Sequence, residues 1–259
     1  NGCHRYTIAG RGVTSDVPVP FLPGARGICD PQPPGGLQAV HEWPSQSILE
    51  GRLPLAGRDR RVVCGLGREA YLLEFEGAGR WAVAVDGSQI LWLDPQQPVD
   101  DVFYEVLLGP CACLALALDG TWCLHASAVT DGRDVAAFVG GSGRGKSTLA
   151  RRFATGDLYP WRRCADDVLP VEAAATGALA LPGFPQLKLA DPAGQAAEAP
   201  ERPLLRVVYL LEWAADARPA NVEQMAGAPA VAAFVAHTHA ARLFGHDLLE
   251  RHLVSCGRL

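Results

Sequence analysis

The sequence predicts an α/β fold built around a glycine-rich loop and preceded by a β-rich region. Three observations carry that prediction. Gly140, Gly141, Ser142, Gly143, Arg144, Gly145, Lys146 and Ser147 stand between an apolar run and a helical pattern. Residues 62–93 hold short apolar runs separated by glycine turns. From Asp100 the apolar spacing changes to that of a helix.

Taken in order, the first third is turn-rich. Pro18, Pro20, Pro23, Pro31, Pro33 and Pro34, with Gly24, Gly27, Gly35 and Gly36, leave room only for short strands. The runs 62–64, 71–75, 81–85 and 90–93 then read as an antiparallel meander. Gly77-Ala78-Gly79 and Asp86-Gly87 supply its hairpin turns, and Asp94-Pro95 closes it. Val102, Phe103, Val106 and Leu107 follow helical spacing, and Gly109-Pro110 predicts a break or kink before the apolar segment 111–118. Residues 124–129 and 135–139 read as adjacent strands joined by a turn at 130–133. A helix is expected over 147–155 and strands over 168–171 and 204–213. The last of these is nearly all apolar, which predicts burial on both faces. Two helical segments are expected between 229 and 256, parted near Gly245. A length of 259 residues suits two modest cores, here a β-rich domain over 1–99 and a second domain over 100–259.

Composition excludes several classes. A net charge of -5 offers no basic surface for a phosphate backbone, so no nucleic-acid partner is expected. No apolar run approaches the roughly 20 residues that cross a bilayer, so no membrane partner is expected either. The eight cysteines are scattered, and Cys111 and Cys113 are one residue apart rather than two, which suits neither a zinc knuckle nor a redox pair. Scattered cysteines in a chain able to bury a core point to a reducing, cytoplasmic setting. The chain begins at Asn1 rather than Met, as a trimmed chain does.

The loop fits G-x-x-x-x-G-K-[ST], and the spacing has a physical meaning. Glycines let successive backbone amides turn inward toward phosphate oxygens, and the following helix adds the positive end of its dipole. Lys146 is then expected to bridge the β- and γ-phosphates of ATP, with the Ser147 hydroxyl on Mg²⁺ and Thr148 following in the cradle. Of 23 basic residues only Lys146 and Lys188 are lysine. A chain that otherwise uses arginine keeps a compact ammonium where a phosphate cradle needs one. Arg144 reads as an exposed position of the loop.

Two acidic groups compete for the rest of the site. Asp166 and Asp167 could divide the labour, one toward the magnesium shell and one taking a proton from an attacking hydroxyl. Glu212 ends an apolar run, as the magnesium strand of ATPases ends in an acid, and there it would activate water. Lys188, Arg202 and Arg206 are candidates for the cation that meets charge on the transferring phosphoryl group.

The segment 124–129 with His125, the glycine loop, and Ala165-Asp166-Asp167, in that order and at similar distances, resemble the C-terminal catalytic domain of HPr kinase/phosphorylase. Within that group the chain is most similar to the HPr-kinase-related kinases of ribosomal-peptide tailoring clusters, lasso-peptide kinases among them; the segment 182–189 shares their flavour. The resemblance covers roughly residue 100 to the end. It implies a fold of the HPr kinase/PEP carboxykinase type and ATP and Mg²⁺ as cofactors. His125 would sit beside the acidic pair, one of Asp166 and Asp167 would be the general base, and Ser147 and Asp167 would hold the metal. It also implies a homo-oligomer. Thr148 stands where the bifunctional enzymes carry Glu, and no Glu-Ile-Arg-Gly segment follows, so the resemblance implies a kinase without phosphorylase activity.

The reading is therefore an ATP-dependent kinase acting on a serine of a peptide or protein, such as a ribosomal precursor peptide, with residues 1–99 as a docking module. A P-loop ATPase or GTPase switch using Glu212, and a small-molecule hydroxyl kinase, are the alternatives.

Overall fold

The computed structural model describes residues 4–19, 43–44, 47–55, 57–155, 160–175, 177–185, 202–213 and 221–258. In chain order the strands are β1 (His4–Ile8), β2 (Arg11–Ser15), β3 (Ser47–Leu55), β4 (Arg58–Leu66), β5 (Ala70–Phe75), β6 (Gly79–Ala84) and β7 (Ile90–Trp92). Helices α1 (Asp101–Val106) and α2 (Ala112–Leu118) follow, then β8 (Trp122–Thr130), β9 (Asp134–Val139), helix α3 (Lys146–Ala154), β10 (Arg162–Ala174), β11 (Gly177–Ala180) and β12 (Leu204–Leu210). Helices α4 (Ala228–Ala236) and α5 (His246–Cys256) close the chain.

These elements form two compact units interleaved in sequence. One comprises Asn1–Asp30, Cys123–Thr238 and Leu253–Leu259, the other Pro31–Trp122 and His239–His252. A cut between 99 and 100 thus runs through the second unit. The hairpin β1–β2 groups with the loop-bearing unit, where Ala9 N–H donates to the Gly183 carbonyl at 3.1 Å and Arg11 pairs with Glu172 at 3.2 Å. Ala9 and Gly10 both take positive φ (50° and 76°), the geometry of a two-residue hairpin turn.

The second unit carries the meander β3-β4-β5-β6-β7, antiparallel throughout. Its turns fall where the glycines predict, with Gly77, Gly79 and Gly87 all at positive φ. Strand β3 was not legible, because Gly51 and Pro54 interrupt its nine residues; both are tolerated on an edge strand. Trp81, Trp92 and Phe103 meet with ring centroids 4.8–6.0 Å apart, joining α1 to the sheet. The expected break at Pro110 is not a break. A π-turn at Leu107–Cys111 absorbs the missing amide and carries α1 directly into α2. The helical segment Asp101–Leu118 therefore reaches 18 residues with a mean hydropathy of 1.7, enough by length and composition to cross a membrane, but 67% of it is buried in the structure, as in a core helix.

The first unit closes β10-β11-β12-β9-β8 into a small barrel. Strand β9 pairs antiparallel with β8 and parallel with β12. Helix α3 packs Leu149 and Ala150 on the outward-facing Ala136 and Phe138 of β9. Strand β12 is shorter than expected, and only half-buried rather than covered on both faces.

His252 tests the packing of the second unit. It is fully buried against Trp122 (4.5 Å) and Phe244 (5.5 Å), and burial pushes its imidazole down from 6.5 to about 4. Between those values the unfolded chain binds a proton that the folded chain refuses. Stability is therefore lost as pH falls from 6.5 toward 4, at up to about 1.4 kcal/mol per pH unit. Thermal unfolding across this range should show a shallower pH slope in His252→Phe than in the wild type; equal slopes would contradict the assignment.

Candidate active site

Strand β9 delivers the chain into the glycine loop, and the parallel β12 runs beside it to the same end, where Leu211 N–H donates to the Val139 carbonyl at 2.9 Å. Gly140 lies at φ 147°, and a Cβ there would sit 2.8 Å from the Leu211 carbonyl oxygen, so no side chain fits. Gly143 and Gly145 take φ 75° and 89°. Gly145 precedes α3 directly, and no side chain caps the helix, so its dipole and first-turn amides are left for an anion. Lys146 is buried, and its ammonium donates to the loop's own carbonyls at Gly140 (2.8 Å) and Gly141 (3.2 Å). Ser142, Arg144 and Thr148 are exposed.

Strands β8 and β10 supply the facing wall. His125 and Ser127 are two apart on β8 and so share a face. Ser127 Oγ donates to Asp166 Oδ1 at 2.7 Å and lies 3.2 Å from Ser147 Oγ. Arg163 Nη2 donates to the other oxygen of Asp166. His125 Nε2 lies 3.2 Å from Asp167 Oδ1. The backbone makes this possible. Neighbouring residues of a regular strand point to opposite faces, yet Asp166 and Asp167 both reach the same face of β8. Asp167 breaks the pleat with φ 144°, a conformation that side-chain-bearing residues rarely adopt.

His125 is also held through its backbone. Its N–H donates to the His237 carbonyl at 2.7 Å, and Leu124 bridges Thr238. The His237 imidazole is held below its ordinary value, first by burial and then by charge at His125 and Lys146. Ser127, Arg163 and His237 were not read from the sequence as site residues. Strand alternation from His125 could have found Ser127, whereas nothing local marks Arg163 or His237.

Other expected residues lie elsewhere. Lys188 falls outside the described residues. Arg202 pairs with Glu172. Arg206 pairs with Asp134 at 3.0 Å, at the start of β9, six residues or about 20 Å of strand from Gly140. Neither arginine reaches the loop. Glu212 is exposed just past β12, next in sequence to Leu211, whose carbonyl oxygen lies against Gly140. The carboxylate bonded to the chain of hydroxyls that reaches Ser147 is that of Asp166.

The donor set fits the expected cofactors. Ser147, Ser127 and Asp166 present hard oxygens only, as Mg²⁺ prefers. A loop that a Cβ at Gly140 would obstruct suits close approach of phosphate. Comparison of the chain with protein-family models, curated proteins and solved structures gives no match.

The Asp167 backbone makes its own prediction. At an ordinary strand position alanine is more stable than glycine, whereas at positive φ the order inverts. Chemical denaturation should find Asp167→Gly more stable than Asp167→Ala, by about 1–2 kcal/mol. The reverse order would mean that the pleat is regular.

Proposed function

We propose that this chain is an ATP-dependent kinase of the HPr kinase/PEP carboxykinase type, passing the γ-phosphate to a serine hydroxyl of a peptide or protein. One observation carries the reading: the glycine loop and the aspartate pair meet, Ser147 lying against the Ser127 hydroxyl that binds Asp166. Serine as acceptor, the peptide or protein class and a homo-oligomeric assembly rest on the resemblance. A cytoplasmic setting is supported by the free, buried state of all six cysteines among the described residues.

The division of labour follows from the partners. Both oxygens of Asp166 are engaged, by Ser127 and Arg163, and the residue is buried. Asp167 is more open, its side chain 29% exposed against 8% for Asp166. We therefore assign Asp167 as the general base and Asp166 to the metal side. The loop amides and Lys146 hold the triphosphate. The acceptor oxygen attacks the γ-phosphorus as the bond to the β,γ-bridging oxygen breaks; the hydroxyl proton passes to the Asp167 carboxylate and ADP leaves. His125 orients that carboxylate and stabilises its charge. Ser147, with Asp166 behind it, would hold Mg²⁺, which supplies neutralisation of phosphate charge when bound.

A second reading, a nucleotide-hydrolysing switch, draws on the position of Glu212 next to Leu211, whose carbonyl abuts Gly140. The two separate experimentally. With γ-labelled ATP and serine-containing peptides, Lys146→Ala and Asp167→Asn should each lower phosphate transfer roughly 10²–10⁴-fold while leaving the fold intact. Glu212→Gln should leave transfer unchanged. Full activity in Lys146→Ala would remove the kinase reading, and loss of turnover in Glu212→Gln with Asp167→Asn active would install the switch.

A further inference from the structure

The hydroxyl chain that links Asp166 to Ser147 fixes where the protons lie. Ser127 has one hydroxyl proton, and at 2.7 Å it goes to the carboxylate oxygen Oδ1 of Asp166. The second contact of Ser127, 3.2 Å to Ser147 Oγ, can then only be accepted, so Ser147 must be the donor. Donors thus run one way, from Ser147 to Ser127 to Asp166. Arg163 holds the far oxygen of Asp166 and keeps that carboxylate from turning away. The Ser127–Asp166 end of the chain is shielded from water, with Ser127 1% and Asp166 6% exposed, while Ser147 is half-buried at the open end.

The consequence falls on Ser147. A hydroxyl whose proton is committed to Ser127 keeps its lone pairs for a cation, whereas a freely rotating one presents its proton part of the time. We propose that Ser127 is a positioning residue that sets the orientation of the Ser147 hydroxyl, and through it the affinity for a divalent cation at the nucleotide. This inference rests on the phosphotransfer reading. It assigns Ser127 no contact with substrate.

The test reads metal binding rather than turnover. Binding of ADP is measured by calorimetry across a Mg²⁺ series, and Mn²⁺ binding to the ADP complex by electron paramagnetic resonance. In Ser127→Ala, metal-free ADP affinity should match the wild type while the half-saturating Mg²⁺ concentration rises about tenfold, the low end of the range for losing a residue that orients a metal ligand. Ser127→Thr, which keeps the hydroxyl, should restore the wild-type value. Should Ser127→Ala fail to fold, Ser127→Cys fills the same space with a weak donor and should show the same metal defect. Unchanged Mg²⁺ dependence in the folded Ala or Cys variant, with the wild type responding to the metal, overturns the role of Ser127 alone. No linkage between Mg²⁺ and ADP in the wild type overturns the phosphotransfer reading itself, and with it this inference.

Discussion

Both carboxylates of the site depend on one irregular backbone position. If β10 kept its pleat through Asp167, one aspartate would face β8 and its neighbour would point away. At φ 144° the chain turns both toward the face that carries His125 and Ser127. Such a backbone costs on the order of 1–3 kcal/mol and persists only where the surroundings fix it. Here they do: Ala165, Val168 and Leu169 are buried on either side, and each carboxylate is bonded to a different residue of β8.

The loop and the wall meet because of strand order. Parallel β9 and β12 end together, so the chain leaving β9 enters the glycine loop beside the backbone of Leu211. Antiparallel β8 then returns past β9, with Ser127 opposite Phe138 and Ala126 opposite Val139, which brings its polar face level with the start of α3. Lys146 donates to carbonyls of its own loop. A phosphate oxygen is a stronger acceptor than a carbonyl, so an incoming anion can take over that ammonium without rebuilding the loop.

Local chemistry was legible in the sequence and long-range geometry was not. The glycine loop, its flanking strand and helix, and the meander turns are set within a few residues by φ preferences and apolar period, and all appear where expected. Asp166, Asp167 and His125 were named from a pattern of residue types, and they converge. Their division was not legible, because it depends on a φ value at Asp167 and on partners in β8 that are 39 or more residues away. His237 reaches His125 from more than a hundred residues downstream through a backbone carbonyl, which no side-chain pattern marks. The interleaved units escaped notice for a similar reason: a hairpin at residues 4–15 joins strands that follow residue 122. Arg202 and Arg206 were suggested by charge alone, and their partners Glu172 and Asp134 hold them away from the loop.

The most direct measurement is a crystal structure with Mg²⁺ and a non-hydrolysable ATP analogue. The expected result is the triphosphate inside the loop, the Lys146 ammonium moved from the Gly140 carbonyl onto phosphate, Ser147 Oγ about 2.1 Å from the metal, and Asp167 on the side of the terminal phosphate. A nucleotide bound away from residues 140–147, or an Asp167 carboxylate turned out of the site, would contradict it.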